Sequence, residues 1–494
     1  MAKTKSGDLV LSIDQGTTGT TGILFDRRGL PVARDYCPIR QIYPKPGWVE
    51  HDPGEIYRSA VRIIRELSAR RRGLFAAIGI TNQRETTVIW DRRTGHPLYN
   101  AIVWQDRRTA DACRKLPPGA EDYVRKTAGL VLDPYFSGTK IGWILRNVSG
   151  ASSAARNGRL AFGTIDTWLI WKLTGGRVHA TDPTNASRTL LLDIEKKDWD
   201  PGLLRLLNVP RNILPEIRPS SGDFGRTAGG GGIPSGVPIA GVAGDQQAAL
   251  FGQGCVKPGQ MKVTYGTGAF LLLQCGRRRI RSRHGLLTTL ACGPRGEATY
   301  VLEGSIFMAG AVVQWLRDEL KVLSSSAESE RLARQVSDSL GVYLVPAFVG
   351  LGAPWWRPDA RGIITGLTRG ANRSHLVRAA LESIAYQTHD VVKAMQKDTG
   401  RRIASLRVDG GAAQNNLLMQ FQADMLGARI VRPRLVETTA AGAAYLAGMA
   451  AGVWSPVTLA GLRRVERTFV PCMSPARRRR LIEGWRLAVE KTLA

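Results

Sequence analysis

Two short stretches, far apart in the chain, put threonine hydroxyls between glycines: Asp14-Gln-Gly-Thr-Thr-Gly-Thr-Thr21 and Tyr265-Gly-Thr-Gly268. A tight turn at either place leaves backbone N–H groups and hydroxyls exposed together, which is the donor set that phosphate oxygens take up. Thr17, Thr18 and Gly19 supply it in the first turn and Thr267 in the second, while Asp14 stands where a carboxylate could hold a divalent cation directly or through water. Taken singly, a Gly/Thr turn without any ligand is the plainer reading; two in one chain favour a nucleotide. A third stretch, Ala77-Ile-Gly-Ile-Thr-Asn-Gln-Arg-Glu-Thr-Thr-Val-Ile-Trp90, sets a donor beside an acceptor at Arg84 and Glu85. In an unbroken strand these neighbours point to opposite faces, so they can serve one ligand only if the polar middle is a bend between two strands. Such a pair suits vicinal hydroxyls, and a surface salt bridge is the equally open alternative.

The elements that must carry these residues are legible around them. Each Gly/Thr stretch lies between apolar runs, 9–13 and 22–25 in the first case and 261–264 and 269–273 in the second, which parses as strand, polar turn, strand. A second unit also recurs: a strand ending in a small-residue turn with a carboxylate and opening a helix. One copy is 238–245 ahead of 246–250, the other 406–411 ahead of 412–426. Two halves on one plan would meet at a cleft, each pointing a hairpin and a helix N-terminus inward, although identity between the copies is too slight to prove duplication. No G-x-x-x-x-G-K-[ST] occurs, and the glycines lack the G-x-G-x-x-G strand-to-helix context, so P-loop and Rossmann folds are disfavoured. A phosphate-clamping hairpin repeated in two halves is the plan of the actin-like, ribonuclease H-like ATPases. The expected fold is therefore α/β, with two such domains, 1–255 and 256–494, flanking a catalytic cleft. Further helices are expected from an N-cap at Ser374 to about Gly400, and over 306–323, where Gly310 and Gln314 share one face.

Bulk properties agree with a multidomain soluble protein. A chain of 494 residues exceeds what one core can serve, and 43% hydrophobic with 22% charged residues is ordinary for globular chains. The six cysteines are scattered, without Cys-x-x-Cys or zinc-type spacing, and no apolar run of signal-peptide type follows 1–7. Reduced thiols and a cytoplasmic location follow as expectations. The charge-free segment 438–462 is mostly Ala and Gly and is broken by Pro456, so a buried helix is expected there and no membrane insertion. A formal charge of +28, with arginine clusters at 70–72, 277–279 and 477–480, will attract polyanions non-specifically. No zinc-finger or RNA-binding aromatic motif accompanies it, so the clusters read as solvated surface and no specific nucleic-acid partner is expected. Self-association is left open.

Ordered blocks then carry a resemblance. Gln41-Ile-Tyr-Pro-Lys-Pro-Gly-Trp-Val-Glu-His-Asp-Pro53, Thr81-Asn-Gln-Arg-Glu-Thr-Thr87, Asn100-Ala-Ile-Val-Trp-Gln-Asp-Arg-Arg108, Asp133-Pro-Tyr-Phe-Ser-Gly-Thr-Lys140, Gly244-Asp-Gln-Gln-Ala-Ala-Leu-Phe-Gly252 and Arg407-Val-Asp-Gly-Gly411 resemble the FGGY carbohydrate kinases, and within them the glycerol kinases. The resemblance implies glycerol and ATP as substrates, with Mg2+. It implies that Arg84, Glu85, Tyr135, Asp245 and Gln246 bind the triol, that Trp104 and Phe270 wall its carbon chain, and that Asp245 is the general base. It further implies that Thr17, Thr18, Gly19, Thr267, Gly310, Gln314, Gly411 and Asn415 contact the nucleotide. One position departs: glycerol kinases commonly read Asp-Gln-Gly-Thr-Thr-Ser-Ser-Arg in the first hairpin, and here the last residue is Thr21. A charge-assisted contact to phosphate, worth about 1.5–3 kcal/mol, is thereby missing. Thr21→Arg is accordingly expected to lower the KM for ATP in steady-state kinetics, and an unchanged or raised KM refutes this reading of the position.

Overall fold

The structure, a computed structural model, describes residues 9–71 and 75–494. The lysines of 1–7 and Arg72 of the first arginine cluster lie outside the described residues.

Two mixed sheets organise the chain. In the first, Val10–Gln15 pairs antiparallel with Gly19–Phe25, which pairs antiparallel with Pro31–Pro38. On its other edge Val10–Gln15 runs parallel to Ala77–Asn82, which runs parallel to Ile239–Gly244. The second sheet repeats the pattern: Met261–Tyr265 pairs antiparallel with Ala269–Gly276, which pairs with Ala298–Ile306, which pairs with Leu287–Cys292. Parallel strands Ser405–Asp409 and Arg429–Pro433 then build outward from Met261–Tyr265, and Val465–Phe469 closes the edge antiparallel. Ala77–Asn82 inside the first sheet is buried along its whole length, and so are the end strands Ile239–Gly244 and Leu287–Cys292, which other elements cover.

The repeat is real in architecture, but one correspondence read from sequence is displaced. Ser405–Asp409 lies against Met261–Tyr265 as Ala77–Asn82 lies against Val10–Gln15, so its counterpart by place is Ala77–Asn82 and not the strand ending at Gly244. A small-residue turn with a carboxylate marks strand ends that face the cleft; it does not encode order within the sheet.

Helix boundaries also differ from expectation where a better cap exists. The helix Arg373–Thr399 starts from Asn372, whose side chain accepts from the N–H groups of Ser374 and His375, and His375 closes a capping box, so Ser374 lies inside the helix. Gly400, at φ 65°, ends it as expected. Helix Gly310–Asp318 is shorter than 306–323 because Ile306 still belongs to a strand. After the Gly410 turn, residues Gly411–Gln414 form a 3-10 turn, and the helix Asn416–Leu426 begins only at the Asn415 cap.

The uncharged segment 438–462 folds as helices Thr438–Ala450 and Pro456–Leu462. The first is nearly all buried and packs on strands Val10–Gln15, Ala77–Asn82 and Ile239–Gly244 and on helix Asp245–Gly252. Its lack of charge follows from this position: it touches a sheet on one side and a helix on another. Backbone meets backbone there, since a Cβ on Gly442 would stand 1.9 Å from the Ala248 carbonyl oxygen and one on Gly79 would stand 2.2 Å from that of Ala443. Among the described residues no helix is long and apolar enough to cross a membrane, and all six cysteines are free thiols. Gly442→Val should destabilise the protein by at least about 2 kcal/mol in urea unfolding, because the clash is with backbone that cannot swing aside. Gly461→Ala, where nothing lies within 4 Å of an added Cβ, should raise stability slightly and serves as the control.

Candidate active site

The stretch around Arg84 and Glu85 is a bend, residues 83–87, between strands Ala77–Asn82 and Val88–Asp91. Both residues are almost wholly buried, which excludes the surface salt bridge. Glu85 has φ 63°, left-handed backbone that a glutamate rarely adopts, and its carbonyl is pinned by the hydroxyls of Ser137 (2.9 Å) and Thr87 (3.1 Å). The unusual backbone lets consecutive side chains turn to one side.

Around this bend the structure gathers the expected polyol set. Arg84 Nε stands 3.2 Å from Asp245 Oδ1, and an Arg84 terminal nitrogen lies 3.4 Å from the Tyr135 hydroxyl. Trp104 packs edge-on against Tyr135 and Phe270, with ring centroids 5.7 and 6.3 Å apart, and the Arg84 guanidinium lies 5.9 Å from the Phe270 ring. Asp245 opens helix Asp245–Gly252, and its side chain is 31% exposed, the one acidic group of the cluster that faces solvent appreciably. Gln246 donates from its backbone N–H to Asp245 Oδ1 (2.7 Å) and from Nε2 to Oδ2 (3.1 Å).

The first hairpin abuts this cluster. Trp104 Nε1 donates to Thr17 Oγ1 at 2.9 Å, which leaves the threonine O–H free to donate elsewhere. The turn is closed by Gly16 N–H to Gly19 O, and Gly19 fits under Tyr36, whose hydroxyl would stand 2.5 Å from an added Cβ. Thr18 is exposed at the tip. Asp14 sits at the strand end, directly opposite Thr21 in the ladder. Burial, then the charges of Asp245 and Glu437, push its carboxyl up to about 8.

The second turn is held by a helix start. Gly266 and Thr267 carbonyls accept from the N–H groups of Gly310 and of Ala309 and Ala311, so Thr267 and Gly310 are brought together; a Cβ on Gly310 would strike the Gly266 oxygen at 2.5 Å. Gly410, at φ 85°, packs on the backbone of Tyr265, which sets Gly411 and Asn415 beside the same turn. Gln314 is exposed one helical turn from Gly310, and Asn415 spends its side-chain oxygen on the Leu418 N–H as a cap.

Four charged residues at the centre of the site were not singled out by sequence reasoning. Glu303, on strand Ala298–Ile306 of the second sheet, takes Arg84 in a two-pronged grip at 2.7 and 3.0 Å. Arg188 donates to Glu85 at 2.6 Å and lies 3.2 Å from Glu303, stacked near Tyr135 and Phe136. Burial alone would raise the Glu303 carboxyl, but Arg188 and Arg84 hold it down at about 2. Glu85 shares both arginines yet is raised, first by burial, because its contact to Arg84 is a longer 3.8 Å and the Glu303 charge opposes it. Lys140 Nζ is buried on the carbonyls of Pro134 (2.7 Å) and Tyr135 (2.6 Å), which fixes the loop carrying Tyr135, and Lys262 Nζ reaches Gln246; burial lowers both lysines to about 8. Only Glu303 stood out as an isolated charge in a largely apolar strand, and its meaning depends on a partner far away in sequence; Arg188 and Lys140 follow polar residues and gave no such signal.

Comparison with known proteins gives the family. Residues 9–252 match the FGGY family of carbohydrate kinases, N-terminal domain, and residues 261–451 match its C-terminal domain. Glycerol kinase 2 of Pseudomonas aeruginosa is 58% identical over 488 residues, 98% of this chain and 97% of that protein. Glycerol kinase of Enterobacter is 56% identical over 490 residues, covering 98% of each. Among solved structures, Plasmodium falciparum glycerol kinase with ADP superposes with a TM-score of 0.92 at 38% identity, covering 98% of each chain. Gluconate kinase from Lactobacillus acidophilus, at 23% identity and TM-score 0.88 over 98% of this chain and 97% of that one, shares the fold.

Glu303→Gln leaves two buried guanidinium groups short of a counter-charge and should cost about 3 kcal/mol at pH 7 in urea unfolding. The folded carboxyl is more acidic than the ordinary 4.5 of the unfolded chain, so its stabilisation is whole above about pH 4.5 and is lost as pH falls towards 2. The gap between wild type and variant should therefore narrow over that interval; a constant gap, or none at pH 7, refutes the assignment.

Proposed function

Because the chain belongs to the FGGY family of carbohydrate kinases, we propose that it transfers the γ-phosphate of ATP to glycerol, giving sn-glycerol 3-phosphate and ADP. The observation that carries this reading is the setting of Asp245: a partly exposed carboxylate 3.2 Å from the buried Arg84, which itself lies beside Tyr135 and Phe270, and near enough to Asp14 at the first Gly/Thr turn to act on its carboxyl. A three-carbon triol suits that setting. Arg84 and Glu85 offer a donor and an acceptor to adjacent hydroxyls, Tyr135 and Gln246 add partners, and Trp104 with Phe270 cover the carbon chain, so analogues lacking a hydroxyl leave buried polar groups unpaired and are rejected. Asp245 accepts the proton of the terminal hydroxyl as its oxygen bonds to the γ-phosphorus and the bond to the β-phosphate oxygen breaks.

Thr17, Thr18 and Gly19 in one sheet and Thr267, Gly310, Gly411 and Asn415 around the other are assigned to the nucleotide, with Gln314 at the rim. This divides the labour between residues 1–255 and 256–494, and closure of the cleft keeps water from the phosphate. Asp14 is the carboxylate that would hold Mg2+: burial, then the charges of Asp245 and Glu437, push its carboxyl up to about 8, and a cation brought in with its phosphates would favour the ionised form. Asp14 would hold the magnesium, which would supply neutralisation of phosphate charge. A cytoplasmic site of action accords with six free thiols.

Asp245→Asn should lower kcat by roughly 10²–10⁴-fold while ADP binding, read by calorimetry, stays near wild type. Near-normal turnover removes Asp245 as the base. In a coupled ADP-release assay of the wild-type enzyme, glycerol should exceed dihydroxyacetone, erythritol and xylulose in kcat/KM; preference for a longer polyol or a ketose overturns the substrate assignment.

A further inference from the structure

Lys262 is fully buried on strand Met261–Tyr265, the strand that runs directly into the turn carrying Thr267. Its ammonium donates to Gln246 Oε1 at 2.6 Å and to Thr264 Oγ1 at 2.7 Å. Gln246 in turn donates from Nε2 to Asp245 Oδ2 at 3.1 Å. The order of this chain is chemically directed. An ammonium has donors only, so it fixes the amide oxygen of Gln246 on its own side and the amide NH2 on the side of Asp245. Without that cation the amide is free to turn over and present its oxygen to the carboxylate, replacing an attraction by a repulsion. The opposite carboxylate oxygen is already held, by the Gln246 backbone N–H at 2.7 Å and beside Arg84 Nε at 3.2 Å.

We propose that Lys262 is a positioning residue for the phosphoryl transfer, acting through the Gln246 amide to orient the Asp245 carboxylate. The proposal deepens the reading of Asp245 given above and rests on it. Its physical content is that the base stands where strand Ile239–Gly244 of the first sheet runs into its helix, while its orientation is set from the second sheet, by the same strand that presents the second phosphate turn. Displacement of that strand is thereby felt at both the phosphates and the base. Asp409, whose Oδ2 is held by Gln253 Nε2 at 2.7 Å, and Asp245 supply the negative charge that keeps the buried ammonium in place.

The test is a double-mutant cycle between Lys262→Met and Gln246→Met, with steady-state kinetics on the full-length enzyme. Lys262→Met alone should lower kcat about 100-fold with KM for ATP changed by less than about threefold, and Lys262→Arg, which keeps the cation, should recover kcat to within about tenfold of wild type. In the Gln246→Met background Lys262→Met should cost less than about threefold further, since the link it works through is already gone. Losses that multiply in the double variant, or a folded Lys262→Met enzyme within about threefold of wild-type kcat, overturn the proposal. Cooperative thermal unfolding and retained ADP binding establish that each variant is folded; should Lys262→Met fail either check, the cycle is run with Lys262→Gln, a neutral side chain that still hydrogen-bonds, and the same two outcomes decide. Absence of glycerol-dependent turnover in the wild type counts against the reaction itself, whereas wild-type turnover with multiplying losses counts against this inference alone.

Discussion

The grip of Glu303 on Arg84 is the interaction on which the rest of the site depends. It joins a bend that leaves the first sheet to a strand of the second, with both side chains buried. Taking two such charges out of water is unfavourable by several kcal/mol each, and single-pronged pairing would not offset it. The two-pronged geometry does more, because a planar guanidinium held at both terminal nitrogens has no rotational freedom left. Arg84 then has one orientation in which Nε faces Asp245 and its edge faces Tyr135. Arg188 performs the matching service for Glu85, so an adjacent donor and acceptor are each held by a partner of opposite sign.

The site is consequently a joint product of the two sheets. Arg84, Glu85, Trp104 and Tyr135 come from segments associated with the first; Phe270 and Glu303 come from neighbouring strands of the second, at residues paired across 270–305 and 272–303 in the ladder. Trp104 extends the joint further, since its indole N–H reaches the Thr17 hydroxyl of the first phosphate turn. The aromatic group and the first Gly/Thr turn are thus mechanically one piece.

What could be read in the sequence was whatever has a local cause. The Gly/Thr turns declare themselves because a tight turn with exposed donors needs those residue types side by side. The bend at Arg84 and Glu85 followed from strand parity once both residues were taken to serve one ligand. Glu303, Arg188 and Lys262 escaped notice for the opposite reason: each takes its partner from a distant segment, Glu303 finding Arg84 at a separation of 219 residues, and Lys140 is spent on carbonyls of the adjoining loop. A pattern of alternation gives no hint of which distant residue will neutralise such a charge. The capping of the long helix was misplaced by two residues for a related reason, since Asn372 and Ser374 are both good caps and the reciprocal bond from His375 decides between them. Likewise the pairing of Ser405–Asp409 with a counterpart in the other half depends on strand order, which composition does not carry.

The helix Thr438–Ala450 has a bearing on how the chain acquires its shape. It comes from late in the sequence, yet it covers strands Val10–Gln15, Ala77–Asn82 and Ile239–Gly244, which are made early. On the ribosome, with elongation at about 5–20 residues per second, those strands emerge on the order of ten or more seconds before the helix that shields them. During that interval their apolar face is a nascent surface open to chaperones and to neighbouring chains, and the early half completes its burial only when synthesis is nearly finished.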